Sequence, residues 1–380
     1  MNLRIGRPLR LLIGRRAPDP QVLDTIGRRL MTRDEPGAAL ARALRITDAT
    51  DPDRVTMRQF RRALDEGIGA LPDAPKPLRD FFAVVEEVPD WVDFDLVDEG
   101  GRVARRFGRN SADVLLQLAL VGSYRFGGPP EVLVETGGLT GGSALRRLAE
   151  TQQWATAVSG ESAMRRDGEG FRLTVHVRLM HALVNQQVEQ NGRWDSGRLG
   201  LPVNQSDLAA TLGLFSGVQL LGVRLLGVRV TRADARALMH LWKYVGRVMG
   251  VDEDWLYDSE RLQHRFNYHQ LMTQSYGSAA GPALAGAVVD AQGALHFAHF
   301  ARVRRACARA RLLSMLRYFI GRQGMRDLRL PVALPWAVPP VVAANILRHH
   351  VLGRTAAGRE RLLRSGDQFI ARHLRQYFGD

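Results

Sequence analysis

The stretch "FRLTVHVRLMHALV" (171–184) sets two histidines and two arginines into a largely apolar run, where a polar group without a partner is costly. Read as a helix over 172–190, it places Thr174, Val177, Arg178, His181, Val184, Asn185 and Val188 on one face at i, i+3, i+4 and i+7 spacing. His181 lies mid-stripe. His176, five positions earlier, points off that face, so the two imidazoles do not converge on one metal. An imidazole so placed is either a core residue satisfied by packing or a ligand to iron or another metal. A second helix, 143–158, carries Arg147, Thr151, Trp154 and Val158 on one face, a cation and a hydroxyl one turn apart beside an aromatic ring. Taken alone, that face reads as a surface helix whose arginine is solvated, ahead of a pair of donors for a ligand.

Other ligand sets are thin. Cys307 is the only cysteine, which excludes intramolecular disulfides, a cysteine-based zinc site and the C-x-x-C-H attachment of a covalent haem. His264 with His269, His296 with His299, and His349 with His350 read as surface or packing residues, and there is no H-E-x-x-H. The glycine-rich "RFGGPPEVLVETGGLTGGS" (125–143) matches neither a P-loop nor a dinucleotide fingerprint. It reads as a connector between two long helices.

The elements that must hold these residues are helical throughout. Apolar periodicity predicts helices near 20–32, 37–46, 55–69, 75–87, 111–126, 143–158, 172–190, 206–225, 231–249, 293–320 and 357–376. Several begin at a serine, threonine or aspartate suited to cap them, as Ser143 and Thr231 do. Only "FRLTVHV" also admits a strand reading. With 380 residues, 45% of them hydrophobic, and no composition break, the chain is expected to form one large all-α domain.

The net charge of +14 comes almost wholly from arginine, spread along the chain with only Lys76 and Lys243 as lysines. That distribution lacks a basic block, and no nucleic-acid partner is expected. The N-terminus has Arg15–Arg16 but no apolar region after it, and the prolines at 331–340 and Arg224 interrupt the most apolar stretches. The expectation is a cytoplasmic protein without a transmembrane segment; oligomeric state is not legible.

Taken together, "RRLAET", "VRLMHALV", "LGLPVNQSDLAATLGLFS" and "LMHLWKYVGRVMGV", in this order and spacing, resemble the catalytic domain of the latex clearing protein (rubber oxygenase) family, which includes the ER-bound oxygenases of the mpaB type. "LMTRDEPGAAL", "VPDWVDFD" and "PWAVPPVVAANILR" extend the resemblance over 25–355, leaving 1–24 as an N-terminal extension and 356–380 as a C-terminal helix. The resemblance implies a globin-like helical core holding a non-covalent haem b, with dioxygen as co-substrate. It puts the proximal iron ligand on His181, distal donors on Arg147 and Thr151, and a base on Glu131 or, second, Glu135; Arg178 is expected among the cofactor contacts. It further implies oxidative cleavage of a carbon–carbon double bond in an isoprenoid or other unsaturated hydrophobic substrate. A haem monooxygenase or peroxidase-like enzyme, or a non-enzymatic haem- or lipid-binding protein, are the alternatives. Two positions depart from the rubber-cleaving members: Glu150 stands where they have a lysine, and Asn185 where they have an arginine. Those departures point away from rubber polymer and toward a smaller substrate.

Overall fold

Local capping chemistry decides where the helices start. Asp93 accepts from the N–H groups of Asp95 and Leu96, Thr56 and Gln59 form a reciprocal capping box, and Thr231 does the same with Asp234. The computed structural model describes residues 17–137 and 143–378, with a few positions before residue 17. Its principal helices are α1 (Pro20–Arg29), α2 (Glu35–Ala43), α3 (Met57–Glu66), α4 (Lys76–Glu86), α5 (Phe94–Phe107) and α6 (Arg109–Asp113), which runs on into a π-helical stretch, Val114–Val121. They continue as α7 (Pro129–Glu135), α8 (Ser143–Ala157), α9 (Glu169–Gln190), α10 (Gln205–Leu225) and α11 (Arg232–Met249). The last five are α12 (Glu260–Thr273), α13 (Gly281–Ala291), α14 (Ala301–Asp327), α15 (Val338–Asn345) and α16 (Ala356–Phe378). Among the described residues there is no sheet, only an isolated antiparallel bridge between Phe126 and Tyr276. The chain is all-α, as its periodicity predicts.

Two hydrophobic cores form. One gathers Phe60, Phe81, Phe82, Val175, Leu241 and Trp242 from α3, α4, α9 and α11; the other gathers Tyr124, Leu148, Leu284, Leu316 and Tyr377. α5 packs against α11 and the segment just after Ala157 through two adjacent glycines. A Cβ on Gly100 would strike the Ala237 carbonyl of α11, and one on Gly101 would lie 2.6 Å from the Ser159 carbonyl. That approach explains why "FDLVDEGGRVARRF" is a helix although its glycines and sparse apolar residues hide it from a periodicity reading.

Several expectations change. "FRLTVHV" is the start of α9 and not a strand, with the Thr174 hydroxyl donating to the Gly170 carbonyl four residues back at 2.6 Å. The 125–143 stretch is no simple connector, because it contains α7; residues 138–142 lie outside those described. α14 starts at Ala301, after Phe300 at φ 53°, so His296 and His299 precede it in irregular chain. α10 is the one described helix long and apolar enough to cross a membrane by length and composition, and half of its apolar window is buried in the fold.

Candidate functional site

A cavity of about 370 Å³ opens between the two cores. α8 and α9, which pack together, bring Arg147, Thr151 and His181 into its wall. Two of the three described π-helical stretches face it as well, Leu116 and Leu120 from the first and Leu214 and Phe215 from the one within α10 (Leu214–Val218); the third, Ile346–Val351, does not. A π segment shifts the side-chain register, and such insertions concentrate at functional sites.

His181 presents a buried Nδ1 that has no hydrogen-bond partner. Burial holds its pKa down at about 4, with Asp34 pulling weakly the other way, so the imidazole is neutral near pH 7. A neutral imidazole is the form that ligates iron. One turn on, Asn185 is buried and clamps the loop beside it: its Nδ2 donates to the Val203 carbonyl at 3.4 Å and its Oδ1 accepts from the Val203 N–H at 3.3 Å. Val203 is itself part of the cavity wall.

Arg178 lies outside this cavity's wall and borders a much smaller pocket that also touches His181. Its guanidinium donates from Nε and Nη2 to the two oxygens of Asp34, each at 2.7 Å, and from Nη1 to the Val248 carbonyl at 3.2 Å, while lying 5.2 Å from the Phe81 ring centre. It is a buried strut tying α9 to the start of α2 and the end of α11. His176 is exposed, as its position off the stripe predicts.

On α8 the face that meets the cavity is Arg147–Thr151–Ala155, and among the described residues no ion pair holds Arg147. Trp154 turns away from it: its Nε1 donates to the Thr174 hydroxyl at 3.1 Å and its ring packs edge-on against Phe215 at 5.3 Å. Val158 is buried in the larger core. Glu150 is exposed and faces Arg146 at 3.9 Å on the outer side of the helix.

Glu131 is likewise engaged elsewhere. Its Oε2 accepts from the Gly128 N–H and its Oε1 from the Ser278 hydroxyl, both at 2.8 Å, so it caps α7 and ties it to the segment before α13. Its neighbours Pro130 and Val132 line the cavity while Glu131 does not. Glu135 meets Asn191 and Arg193 instead. Among the described residues the carboxylate that does line the cavity is Asp207, in the first turn of α10. Burial raises its pKa to about 7, against the Asn204 amide that lowers it, with the nearby Glu131 charge adding to the rise.

His373 and Tyr377, from α16, also line the cavity. Burial lowers the His373 pKa to about 4, and its ring stacks on Phe369 at 4.9 Å. The C-terminal helix thus closes the site, a role with no local signal in "FIARHLRQYF" because it depends on what that helix packs against.

The profile of the ER-bound oxygenase mpaB/B'/Rubber oxygenase catalytic domain matches residues 112–357. The chain belongs to this family. It is similar to the rubber oxygenase of Streptomyces sp. (strain K30), 25% identical over 198 residues, a match spanning 49% of this chain and 46% of that protein. The chain therefore spans about half the length of that curated relative. A solved structure of latex clearing protein LCP in the closed state covers 88% of this chain and 94% of its own, with a TM-score of 0.62 at 20% identity. That likeness concerns the fold.

The residues present fit a haem. Among the described residues no group of three or more histidine, cysteine, aspartate or glutamate side chains converges as a metal site. What the cavity offers is a neutral, unpaired imidazole in apolar surroundings, which suits an iron whose other ligands come from a porphyrin.

Proposed function

We propose that this chain is a haem b-dependent oxygenase that uses dioxygen to cleave a carbon–carbon double bond in an unsaturated, hydrophobic, isoprenoid-like substrate. One observation carries the reading: Arg147, Thr151 and His181, from two separate helices, face one apolar cavity in which the His181 imidazole has a partnerless buried nitrogen. Family membership supports it, and so does the relative described as a rubber oxygenase. Haem, when bound, would supply the binding and activation of dioxygen. The chain's own residues then do four things. His181, kept neutral by burial, would hold the haem iron through its imidazole. Asn185 fixes the Val203 loop and so the shape of the wall beside that ligand. Arg147 and Thr151 offer N–H and O–H donors to an oxygen-bearing group in the cavity. The leucines of the two π-helical stretches make their part of the cavity wall apolar. With Glu150 directed at Arg146, the side chain at that position stays out of the cavity wall.

The visible spectrum of freshly purified protein tests this. A Soret band is expected, lost in His181→Ala and retained in His176→Ala and His373→Ala; with an unsaturated substrate and labelled dioxygen, both oxygen atoms are expected in the products. Protein that stays colourless and takes up no added hemin, or a band that depends on His373 and not on His181, overturns the assignment.

A further inference from the structure

A second cavity, about 730 Å³, lies beside the first. Ser123, Pro129, Pro130, Thr211 and Leu214 line both, so a thin partition of five residues separates them. Its wall is largely aliphatic and aromatic, with Leu118, Leu221, Leu271, Phe319 and Ile320. Most polar side chains in it are already engaged: Ser123 donates to the Leu120 carbonyl at 2.7 Å, Asn267 Oδ1 accepts from Gln263 at 3.0 Å, Gln323 donates to Asp327 at 2.8 Å and Tyr318 donates to the Leu225 carbonyl at 2.9 Å. Arg125 is the one charged residue of this wall among the described residues, and Asp327 neutralises it at 2.9 Å.

Gln270 is different. It sits in the same wall on α12, only 4% exposed, and both ends of its amide, Oε1 and Nε2, are buried with no partner. An amide buried in this way is unfavourable until something both donates to and accepts from it. A hydroxyl group does both: it accepts from Nε2–H and donates to Oε1. A carboxylate or phosphate does not suit the place, because it can only accept and the one cation nearby is already spent on Asp327.

We propose that Gln270 is a specificity-determining residue that receives the uncharged, hydroxyl-bearing end of an unsaturated chain, so that the substrate class is a prenyl alcohol or similar amphiphile and not a plain hydrocarbon. The alcohol end occupies the second cavity and the chain passes the Pro129–Pro130 and Thr211–Leu214 partition toward His181. This rests on the oxygenase reading for the direction in which the chain runs; the hydroxyl subsite itself does not require the cofactor.

The test is calorimetric titration of the full-length protein with farnesol, with farnesene as the hydrocarbon lacking the hydroxyl, and with farnesyl phosphate as the charged end. Farnesol is expected to bind about tenfold or more tightly than farnesene, since a site with polar groups waiting for a hydroxyl penalises the analogue that leaves them unpaired. In Gln270→Leu that preference is expected to vanish while farnesene binding persists, which also shows that the variant is folded; Gln270→Met is the second variant. In His181→Ala the preference is expected to survive, so that loss of pigment or of cleavage bears on the oxygenase reading alone. Equal affinity for farnesol and farnesene in the unsubstituted protein, a preference that outlives Gln270→Leu, or tightest binding of farnesyl phosphate overturns the proposal.

Discussion

Removing the Asp34 carboxylate separates a structural Arg178 from a cofactor-binding one. The guanidinium is only 3% exposed and donates two of its hydrogen bonds to Asp34, each at 2.7 Å. In Asp34→Ala it keeps the Val248 carbonyl and the Phe81 face, and otherwise stands as a buried charge with no counter-ion. Two unit charges at about 4 Å attract by roughly 4 kcal/mol at an effective dielectric near 20, and breaking one side of a buried pair costs about 3–5 kcal/mol. Asp34→Ala is therefore expected to lower unfolding stability by about 3–5 kcal/mol. Replacing both partners, Asp34→Ala with Arg178→Met, should cost much less than the single change, because an unbranched apolar side chain fits against Phe81 and leaves no charge behind. Urea unfolding with an unchanged slope measures all three proteins, and the Soret absorbance per folded molecule is read alongside. A cost below about 1 kcal/mol for Asp34→Ala refutes the strut reasoning. So does an Arg178→Met protein that keeps its stability and loses its chromophore.

Acid should destabilise the protein well above the carboxylate range. In protein freed of haem, His181, His349 and His373 are each held near 4 by burial. The unfolded chain thus takes up their protons first, and stability present above about pH 6.5 is lost toward pH 4, by up to about 3 kcal/mol per histidine. Asp207, raised to about 7, acts in the opposite sense, since the folded state holds its proton over the same window. Urea midpoints are expected to fall between pH 7.5 and 5, and more steeply in Asp207→Asn; a flat profile in both contradicts the neutral-imidazole description. In α16, a Cβ on Gly366 would collide with the Arg105 carbonyl of α5. Gly366→Ala should cost about 1–3 kcal/mol and weaken chromophore retention by moving His373 and Tyr377, checked by thermal melting and by the absorbance ratio.

Much of the site was legible along the chain because helical spacing is a local property. The i, i+4 pair Arg147–Thr151 faces one cavity together, and the stripe on α9 puts His181 toward that cavity while His176 is exposed. Residue type and spacing say which side of a helix a group occupies, and they do not say what lies across from it. Arg178 and Glu131 show the consequence. Each sits where a functional reading is chemically reasonable, and each is committed to a partner far away in sequence or across a turn: Asp34 for the arginine, Gly128 and Ser278 for the glutamate.

From its sequence alone this chain is an all-helical protein of one family, with an imidazole placed toward a pocket and a cation–hydroxyl pair on the helix that meets it. Helical periodicity, capping residues and ordered motifs are carried by neighbours within a few turns, so they survive reading in one dimension. Only the tertiary structure decided that two glycines make α5 a close-packed helix, that the last helix supplies His373 and Tyr377, that Asp207 and not Glu131 borders the cavity, and that a second cavity with an unpaired Gln270 amide lies next to it. Each of these depends on which surfaces meet after the chain has folded back on itself, and burial, the cause of every large pKa shift in the site, does not exist until they do.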